Sequence, residues 1–210
     1  PDRELEGDDM AREWLEGATD VMYTELHRSN FHEAIHELYS DLVTFGTAVM
    51  FIDTDKEQNL RFSTRHIAEC YVSEDEFGRV DTVYREFKMS AKAALDQFGE
   101  QNISKRIAKK VQQDPYEHIT LLHVVMPRTE RDSLKLDAKN KPFSSCYLDP
   151  EEKIILSESG FDEFPYVVPR YLKASFEHGY GRSPAMTALA DTKMLNKMSE
   201  TVIRAAQLQI

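Results

Sequence analysis

The chain has 210 residues, of which 41% are hydrophobic and 30% are charged, so it can bury a domain-sized core and is not disordered throughout. Its formal net charge at pH 7 is −11, and such an acidic protein does not attract nucleic acid non-specifically. No apolar run approaches the roughly 20 residues of a membrane-spanning helix, and the acidic first residues do not resemble a secretion signal, so no membrane partner is expected.

The charge is unevenly distributed along the chain. Residues 1–44 contain 12 acidic and 3 basic side chains, whereas residues 102–113 contain four basic side chains and no acidic one. The four basic residues are Lys105, Arg106, Lys109 and Lys110. This basic segment could face phosphates or an acidic neighbouring subunit, and a solvated helix face is the simpler interpretation.

Two helices are predicted before residue 46. In residues 8–27, apolar side chains recur every three or four positions, as in a helix with one apolar face. Ser29-Asn30 breaks this helix and supplies the N-cap of a second one over residues 31–45, which Gly46 ends. The predicted apolar face of the first helix consists of Met10, Trp14, Leu15, Ala18, Val21, Met22 and Leu26. The predicted buried stripe of the second consists of Ala34, Ile35, Leu38, Leu42 and Val43.

The central part of the chain has the pattern of strands and short helices. Residues 47–52 form a continuous apolar run that predicts a buried strand, with a polar turn following at residues 53–56. Further strands are predicted at residues 60–63, 68–73, 80–88 and 118–126, with a hairpin connection at 74–78. A helix capped by Ser90 is predicted at residues 91–98, and the basic helix at 103–111.

The last third is predicted to be rich in strands and to end in a helix. Residues 127–142 have the polar composition of a loop or exposed hairpin. A hairpin is predicted from residues 143–148 and 154–159, and an edge strand at 166–175, which contains a proline. A Gly-Tyr-Gly turn and Ser183-Pro184 then start a helix that runs to the end, with Leu189, Leu195, Met198, Val202 and Ala205 marking one side. The predicted fold class is α+β.

One motif points to an enzyme. Residues 32–36 match H-E-x-x-H, in which two histidines on one helix face bind zinc and the glutamate is the general base. A catalytic zinc needs a third protein ligand, and the extended motif has glycine and histidine where this chain has Tyr39 and Leu42. We therefore expect no metal, no cofactor and no catalytic residue. A zinc-dependent hydrolase using His32, Glu33 and His36 is the alternative.

Three other features are weaker. Asp53-Thr54-Asp55 begins like a calcium-binding EF-hand loop, but the required glycine and glutamate are replaced by Gln58 and Thr64. Gly179-Tyr180-Gly181 lacks the remaining residues of a phosphate-binding glycine loop. Cys70 and Cys146 lie far apart in the sequence and are expected to be reduced, buried side chains.

Three stretches together resemble the head-to-tail connector (portal) family of short-tailed bacteriophages and related prophages. The first is FHEAIHE at residues 31–37 followed by DLVTFGTAVM at 41–50, and the second is VDTVYREFKMSAKAALDQFG at 80–99. The third and most specific is YGRSPAM at 180–186, continued by Ala188-Leu189, Asp191, Lys193, Leu195-Asn196 and Met198. The chain departs from the family at residues 171–179, where the family tends to carry Trp and Gly-Glu.

The resemblance implies a structural subunit and not an enzyme. Such proteins form homo-oligomeric rings, typically dodecamers, at one vertex of the capsid in the virion, and assemble in the host cytoplasm. They dock the terminase motor, pass double-stranded DNA during packaging and ejection, and contact capsid and tail proteins. The resemblance implies a wing-like body at residues 1–126, a β-rich wing or clip segment at 127–182, and a helix leading toward the stem at 183–210.

The two ends suggest a partial chain. The sequence begins with Pro1 and ends in a helical run that no residue caps, so we expect a segment of a longer polypeptide. A third class of function, a DNA-binding module centred on the basic helix, would show duplex affinity that falls steeply with salt.

Overall fold

The structure, a computed structural model, describes residues 8–54, 60–132, 134–135, 137–173 and 179–208. These ranges contain five α-helices, which are α1 Asp9–Arg28, α2 Phe31–Phe45, α3 Ala91–Phe98, α4 Lys105–Gln113 and α5 Pro184–Leu208. They also contain eight strands, which are β1 Val49–Thr54, β2 Leu60–Arg65, β3 Cys70–Glu74, β4 Val80–Ser90, β5 His118–Pro127, β6 Phe143–Asp149, β7 Ile154–Phe161 and β8 Tyr166–Val167. Within the same ranges, no helix has the length and apolar composition that crossing a bilayer requires.

The strands form two antiparallel sheets. The smaller sheet has the order β2-β1-β8, and the larger is a meander with the order β3-β4-β5-β6-β7. Strands that are neighbours in the larger sheet are also consecutive in the sequence. Helices α3 and α4 lie in the connection from β4 to β5. The five helices and the two antiparallel sheets confirm the predicted α+β class.

The first residues of β1 are buried on both faces, which explains the continuous apolar sequence there. Val49 and Phe51 join a cluster with Cys70, Val83, Val125 and Tyr166 of the larger sheet and β8. Met50, and Ala48 just before the strand, pack instead with Ala34 and Leu38 of α2 and Phe62 of β2. Alternating side chains on one strand therefore fill two separate cores.

The inner face of the larger sheet is covered in two halves. At one end, the cross-strand pair Val83–Val125 packs under the smaller sheet. At the other end, the pair Phe87–Leu121 packs under helices α3 and α4, which contribute Ala94, Phe98 and Ile107. The two halves meet at a polar row in the middle of the sheet, which is described with the site below.

Serine side chains fix the beginnings of three helices. Ser90 accepts from the Ala93 N–H, as predicted, and the buried Ser104 accepts from the Ile107 N–H. Because Ser104 caps α4, this helix begins two residues later than predicted. Ser183 accepts from the Met186 N–H, which confirms the predicted start of α5.

The predicted Ser29-Asn30 pair precedes α2, with Asn30 at the N-cap position. The Asn30 side chain makes no capping hydrogen bond and instead pairs with the backbone of β2. The Asn30 amide donates to the Phe62 carbonyl at 2.7 Å and its oxygen accepts from the Phe62 N–H at 2.9 Å. Ser29 accepts from the Phe31 N–H. A side chain that mimics a strand partner therefore joins α2 to the smaller sheet.

Gly46 ends α2 as predicted and also makes a second, unpredicted contact. Its φ of 78° is in the left-handed region. A side chain there would meet the Gly181 carbonyl oxygen and lie within 2.6 Å of the Ser183 nitrogen. The Ser183 hydroxyl donates to the Thr44 carbonyl at 2.8 Å. The end of α2 and the beginning of α5 are thus in direct backbone contact.

Several predicted boundaries change. Val43 is exposed and does not belong to the buried stripe of α2. A short 3₁₀ turn, Ile67–Glu69, replaces the first residues of the strand predicted at 68–73. The edge strand predicted at 166–175 is confirmed only as β8, at the edge of the smaller sheet. Asp53 and Thr54 belong to β1, whereas Asp55, Gln58 and the other residues of 55–59 lie outside the described ranges, as do 174–178 and 209–210.

Candidate subunit-contact surfaces

The basic helix α4 is anchored by one of its own arginines. Arg106 donates to Asp149 through Nη2 at 2.8 Å and forms an ion pair with Glu151 at 2.9 Å. Asp149 is fully buried at the turn between β6 and β7, and it also accepts from the Ser104 hydroxyl at 2.7 Å. The Arg106 N–H donates to Glu152 at 3.0 Å. Arg106 therefore fastens α4 to the larger sheet.

The ionisation of Asp149 depends on these contacts. Burial opposes the charged form, but hydrogen bonds from Arg106 and Ser104 and from the Glu151 N–H outweigh it and lower the pKa of Asp149 below its usual value. The carboxylate is thus charged at neutral pH and neutralises Arg106 within the chain. Arg106 is consequently a structural cation.

The remaining three basic residues of α4 differ in exposure. Lys110 forms an ion pair with Glu117 at 2.6 Å. Lys105 and Lys109 are exposed on the surface of α4. The four side chains that the sequence groups together therefore divide into two that contact carboxylates of the same chain and two that point to solvent. Lys105 and Lys109 are the ones available to a neighbouring subunit or to phosphate.

The H-E-x-x-H residues lie on α2 and are exposed. His32 is turned toward α1, where its Nε2 lies 3.1 Å from Nδ1 of His27. His36 instead lines a surface pocket together with His66, which follows β2. Across the described ranges, no group of three histidine, cysteine or carboxylate side chains is arranged to hold a metal ion.

A polar row crosses the larger sheet between its two apolar halves. Arg85 of β4, His123 of β5 and Tyr147 of β6 are cross-strand neighbours on the inner face. His123 is buried, lies 2.9 Å from the Ser145 hydroxyl and 3.3 Å from the Tyr166 hydroxyl. Burial, reinforced by Arg85 and Arg65, lowers the pKa of His123 to about 3. A histidine that stays neutral and is closed off from solvent serves packing and hydrogen bonding.

Helix α1 leaves its apolar face exposed. The apolar residues of α1 recur with the helical period, as predicted, yet none of its described side chains is buried. Trp14 is 72% exposed, and Met10, Val21 and Met22 are also exposed. Only Leu26, near the end of α1, packs against the core that α2 forms with the smaller sheet. Exposed apolar stripes of this length mark contact surfaces.

Helix α5 has the same property. None of its described side chains is buried, although Met194, Met198 and Val202 follow each other at four-residue spacing. The opposite side is charged, and there Glu200 pairs with Lys197 at 2.9 Å and with Arg204 at 2.6 Å. Of the residues predicted to mark one side of α5, Leu195, Met198, Val202 and Ala205 lie within about 80° of one another, but Leu189 lies about 180° from Met198 and belongs elsewhere on the helix.

Comparison with known proteins gives the family. The model of the family described as "Bacteriophage head to tail connecting protein" matches residues 1–210. This chain belongs to that connector family. The family that the three sequence stretches resemble is therefore confirmed.

Two curated relatives support the connector assignment. The "Portal protein" of Salmonella phage epsilon15 is 34% identical over 186 residues, which are 87% of this chain and 33% of that protein. The "Probable portal protein" of Bordetella phage BPP-1 is 31% identical over 195 residues, which are 91% of this chain and 35% of that protein. The chain thus spans about a third of the length of these relatives. Neither the geometry of His32, Glu33 and His36 nor the comparisons support a zinc hydrolase.

Proposed function

We propose that this chain is part of a portal subunit that forms a homo-oligomeric ring at one vertex of a phage capsid. The observation that carries the proposal is the connector family model, which matches the chain from its first residue to its last, with portal proteins as relatives. The complete protein would be a non-enzymatic structural component of the virion, assembled in the host cytoplasm as a dodecamer. Double-stranded DNA would pass through its channel during packaging and ejection.

The architecture supports a particular placement of the segments. Strands β6 and β7 complete the sheet that begins with β3, β4 and β5. We assign residues 127–182 to the same wing-like body as residues 1–126 because the two segments share this sheet and the core beneath it. Helix α5 leaves that body and would lead toward the stem.

The charge pattern supports a role for α4 at a subunit contact. Lys105 and Lys109 project from a helix that Arg106 holds rigidly on the sheet, so their positions are fixed relative to the body. The remainder of the protein is acidic, and an acidic channel surface would let DNA phosphates slide past without tight binding. Lys105 and Lys109 would then face an acidic neighbouring subunit or phosphate. Terminase, capsid and tail proteins would be the other partners.

Ring formation is the direct test. The full-length protein that carries this segment should be purified without other phage proteins, and its mass and shape measured by native mass spectrometry and negative-stain electron microscopy. We expect closed rings with a central channel. A full-length protein that folds and remains monomeric at all concentrations would overturn the proposal.

A further inference from the structure

We propose that the exposed apolar face of α1 in one subunit docks along the exposed apolar face of α5 in the next copy. The inference rests on the proposed ring, and it specifies the surfaces that meet. Helix α1 presents Met10, Trp14 and Val21, and α5 presents Met194, Met198 and Val202, all exposed in the single chain. The exposed apolar residues span about 17 Å of α1 and about 12 Å of α5.

The two helices are attached at opposite ends of α2. Helix α1 precedes the first residue of α2, whereas the beginning of α5 contacts the last turn of α2 through Thr44 and Gly46. The attached ends of α1 and α5 are therefore separated by the length of α2, which is about 22 Å. Two different apolar faces on one molecule suit a head-to-tail contact, in which each copy offers one face to each neighbour.

Charge is also complementary between the two helices. Helix α1 carries five acidic and two basic side chains, while α5 carries two acidic and three basic. Two copies of α1 would repel each other, and two copies of α5 would gain little, whereas α1 against α5 is attractive. The charges therefore favour the unlike pairing over either like pairing.

A cleft lies beside the beginning of α5. It has a volume of about 490 Å³ and is lined by Tyr171, Leu172, Pro184, Ala188 and Asp191. Pro184 and Ala188 lie on the same side of α5 as Met198 and Val202, so the cleft continues the apolar face. A cleft beside a flat stripe suits an anchor of the size of a tryptophan side chain.

The test uses two complementary variants of this chain. One carries Trp14→Asp and Val21→Asp and so loses the α1 face, and the other carries Met198→Asp and Val202→Asp and so loses the α5 face. All four side chains are exposed, so each variant should keep the circular dichroism spectrum of the parent. Analytical ultracentrifugation at about 100 µM, where contacts of micromolar Kd are populated, gives the masses.

We expect the parent to form species larger than a dimer and each variant alone to be monomeric. An equimolar mixture of the two should stop at a heterodimer, since only one intact α1 face and one intact α5 face remain. Trp14 is the only tryptophan of the chain, so the mixture contains it in the α5 variant alone. Its emission should shift to the blue when the α1 variant is added.

Matched controls use the other sides of the same helices. Tyr23 lies about 180° from Trp14 on α1, and Ile203 lies about 140° from Met198 on α5. Both are exposed, and Tyr23→Asp and Ile203→Asp should associate as the parent does.

Several results would overturn the inference. These are a monomeric parent, a variant that self-associates alone, and a mixture that stays monomeric without a spectral shift. In the full-length protein, rings that persist with either pair of substitutions would also overturn it while leaving the proposed portal function intact. Absence of rings in the unsubstituted full-length protein would instead overturn the portal function.

Discussion

His123 and Tyr147 stack face to face in the middle of the larger sheet, with ring centroids 4.0 Å apart and planes 5° from parallel. They are cross-strand neighbours on β5 and β6, so the register of the sheet produces the stack. Arg85 lies on the other side of His123 in the same row. Burial disfavours the protonated imidazole most, and the neighbouring Arg85 guanidinium adds to this, so the lowered pKa keeps His123 neutral.

The buried His123 predicts loss of stability in mild acid. Its pKa is lowered to about 3 by burial and by Arg85 and Arg65, whereas the unfolded chain binds a proton near pH 6.5. The unfolded state binds more protons than the folded state between these two pH values. The contribution of His123 to the free energy of unfolding is therefore fully present above about pH 6.5 and decreases as the pH falls. We expect the free energy of unfolding to fall by about 2 kcal/mol between pH 7 and pH 5, measured by urea unfolding.

His123→Gln should weaken this pH dependence, because glutamine keeps a polar group near Ser145 but does not titrate. His118→Gln is the matched control on the same strand, since His118 is exposed. An unchanged acid-induced loss in the His123 variant would show that other groups cause it.

Asp149 is predicted to be essential for holding α4. Asp149→Asn removes the charge that pairs with the largely buried Arg106, and we expect a loss of about 3 kcal/mol in the free energy of unfolding. Glu151→Gln, which changes the solvent-exposed partner of the same arginine, should cost less than about 1 kcal/mol. Urea unfolding of both variants at pH 7 makes the comparison. Equal stabilities for the two would contradict the anchoring role.

Gly46 is predicted to tolerate no side chain. Gly46→Ala combines an unfavourable positive φ with a clash against the backbone of Gly181 and Ser183. It should lower the free energy of unfolding by about 3 kcal/mol. Gly78→Ala is the control, because its φ is also positive but its side chain would meet only the flexible end of Lys173. It should cost about 1 kcal/mol. Thermal unfolding followed by circular dichroism would detect the difference, and similar losses would argue against the close contact between α2 and α5.

Local patterns in the sequence predict the elements well but not their partners. The period of apolar residues gives α1, α2, α5 and most strands, because spacing alone determines which side chains share a face. The same pattern cannot say whether a neighbour covers that face, so the exposure of α1 and α5 was not predicted. The pairing of Asn30 with Phe62 could not be predicted locally, because it joins residues 32 positions apart.

The division of the basic helix also depends on distant residues. Arg106 and its partner Asp149 are 43 positions apart in the sequence, and nothing local to α4 separates Arg106 from Lys105 or Lys109. The only available signal was the Ser104 cap, which fixes where α4 begins and thus which side chains face the sheet.

The H-E-x-x-H motif is predicted not to bind a catalytic metal. His32→Ala combined with His36→Ala changes two exposed side chains and should leave both the fold and the zinc content unchanged. Purified protein would be incubated with zinc, desalted, and measured by elemental analysis beside the variant. One zinc per chain in the parent, lost in the double variant, would restore the hydrolase alternative.

The exposed lysines of α4 are predicted to act at the subunit contact of the ring. Replacing all four basic residues by glutamate would break the ion pairs that Arg106 and Lys110 form within the chain. A loss of rings could then result from misfolding instead of a lost subunit contact. Lys105→Glu with Lys109→Glu avoids this, because both side chains are exposed. A single exposed ion pair contributes only about 0 to 1 kcal/mol, but a closed ring repeats the same change at every interface.

We therefore expect fewer rings from the full-length double variant at low salt, measured as particle mass. The difference from the parent should shrink as salt increases, since screening weakens the parent contact. Lys105→Gln with Lys109→Gln is the matched control, because it removes the attraction without adding repulsion and should have an intermediate effect. Lys substitutions at Glu13, Glu16 and Asp20 should restore assembly if the acidic side of α1 is the partner surface. Rings that form equally well from all these variants would mean that Lys105 and Lys109 belong to a solvated face.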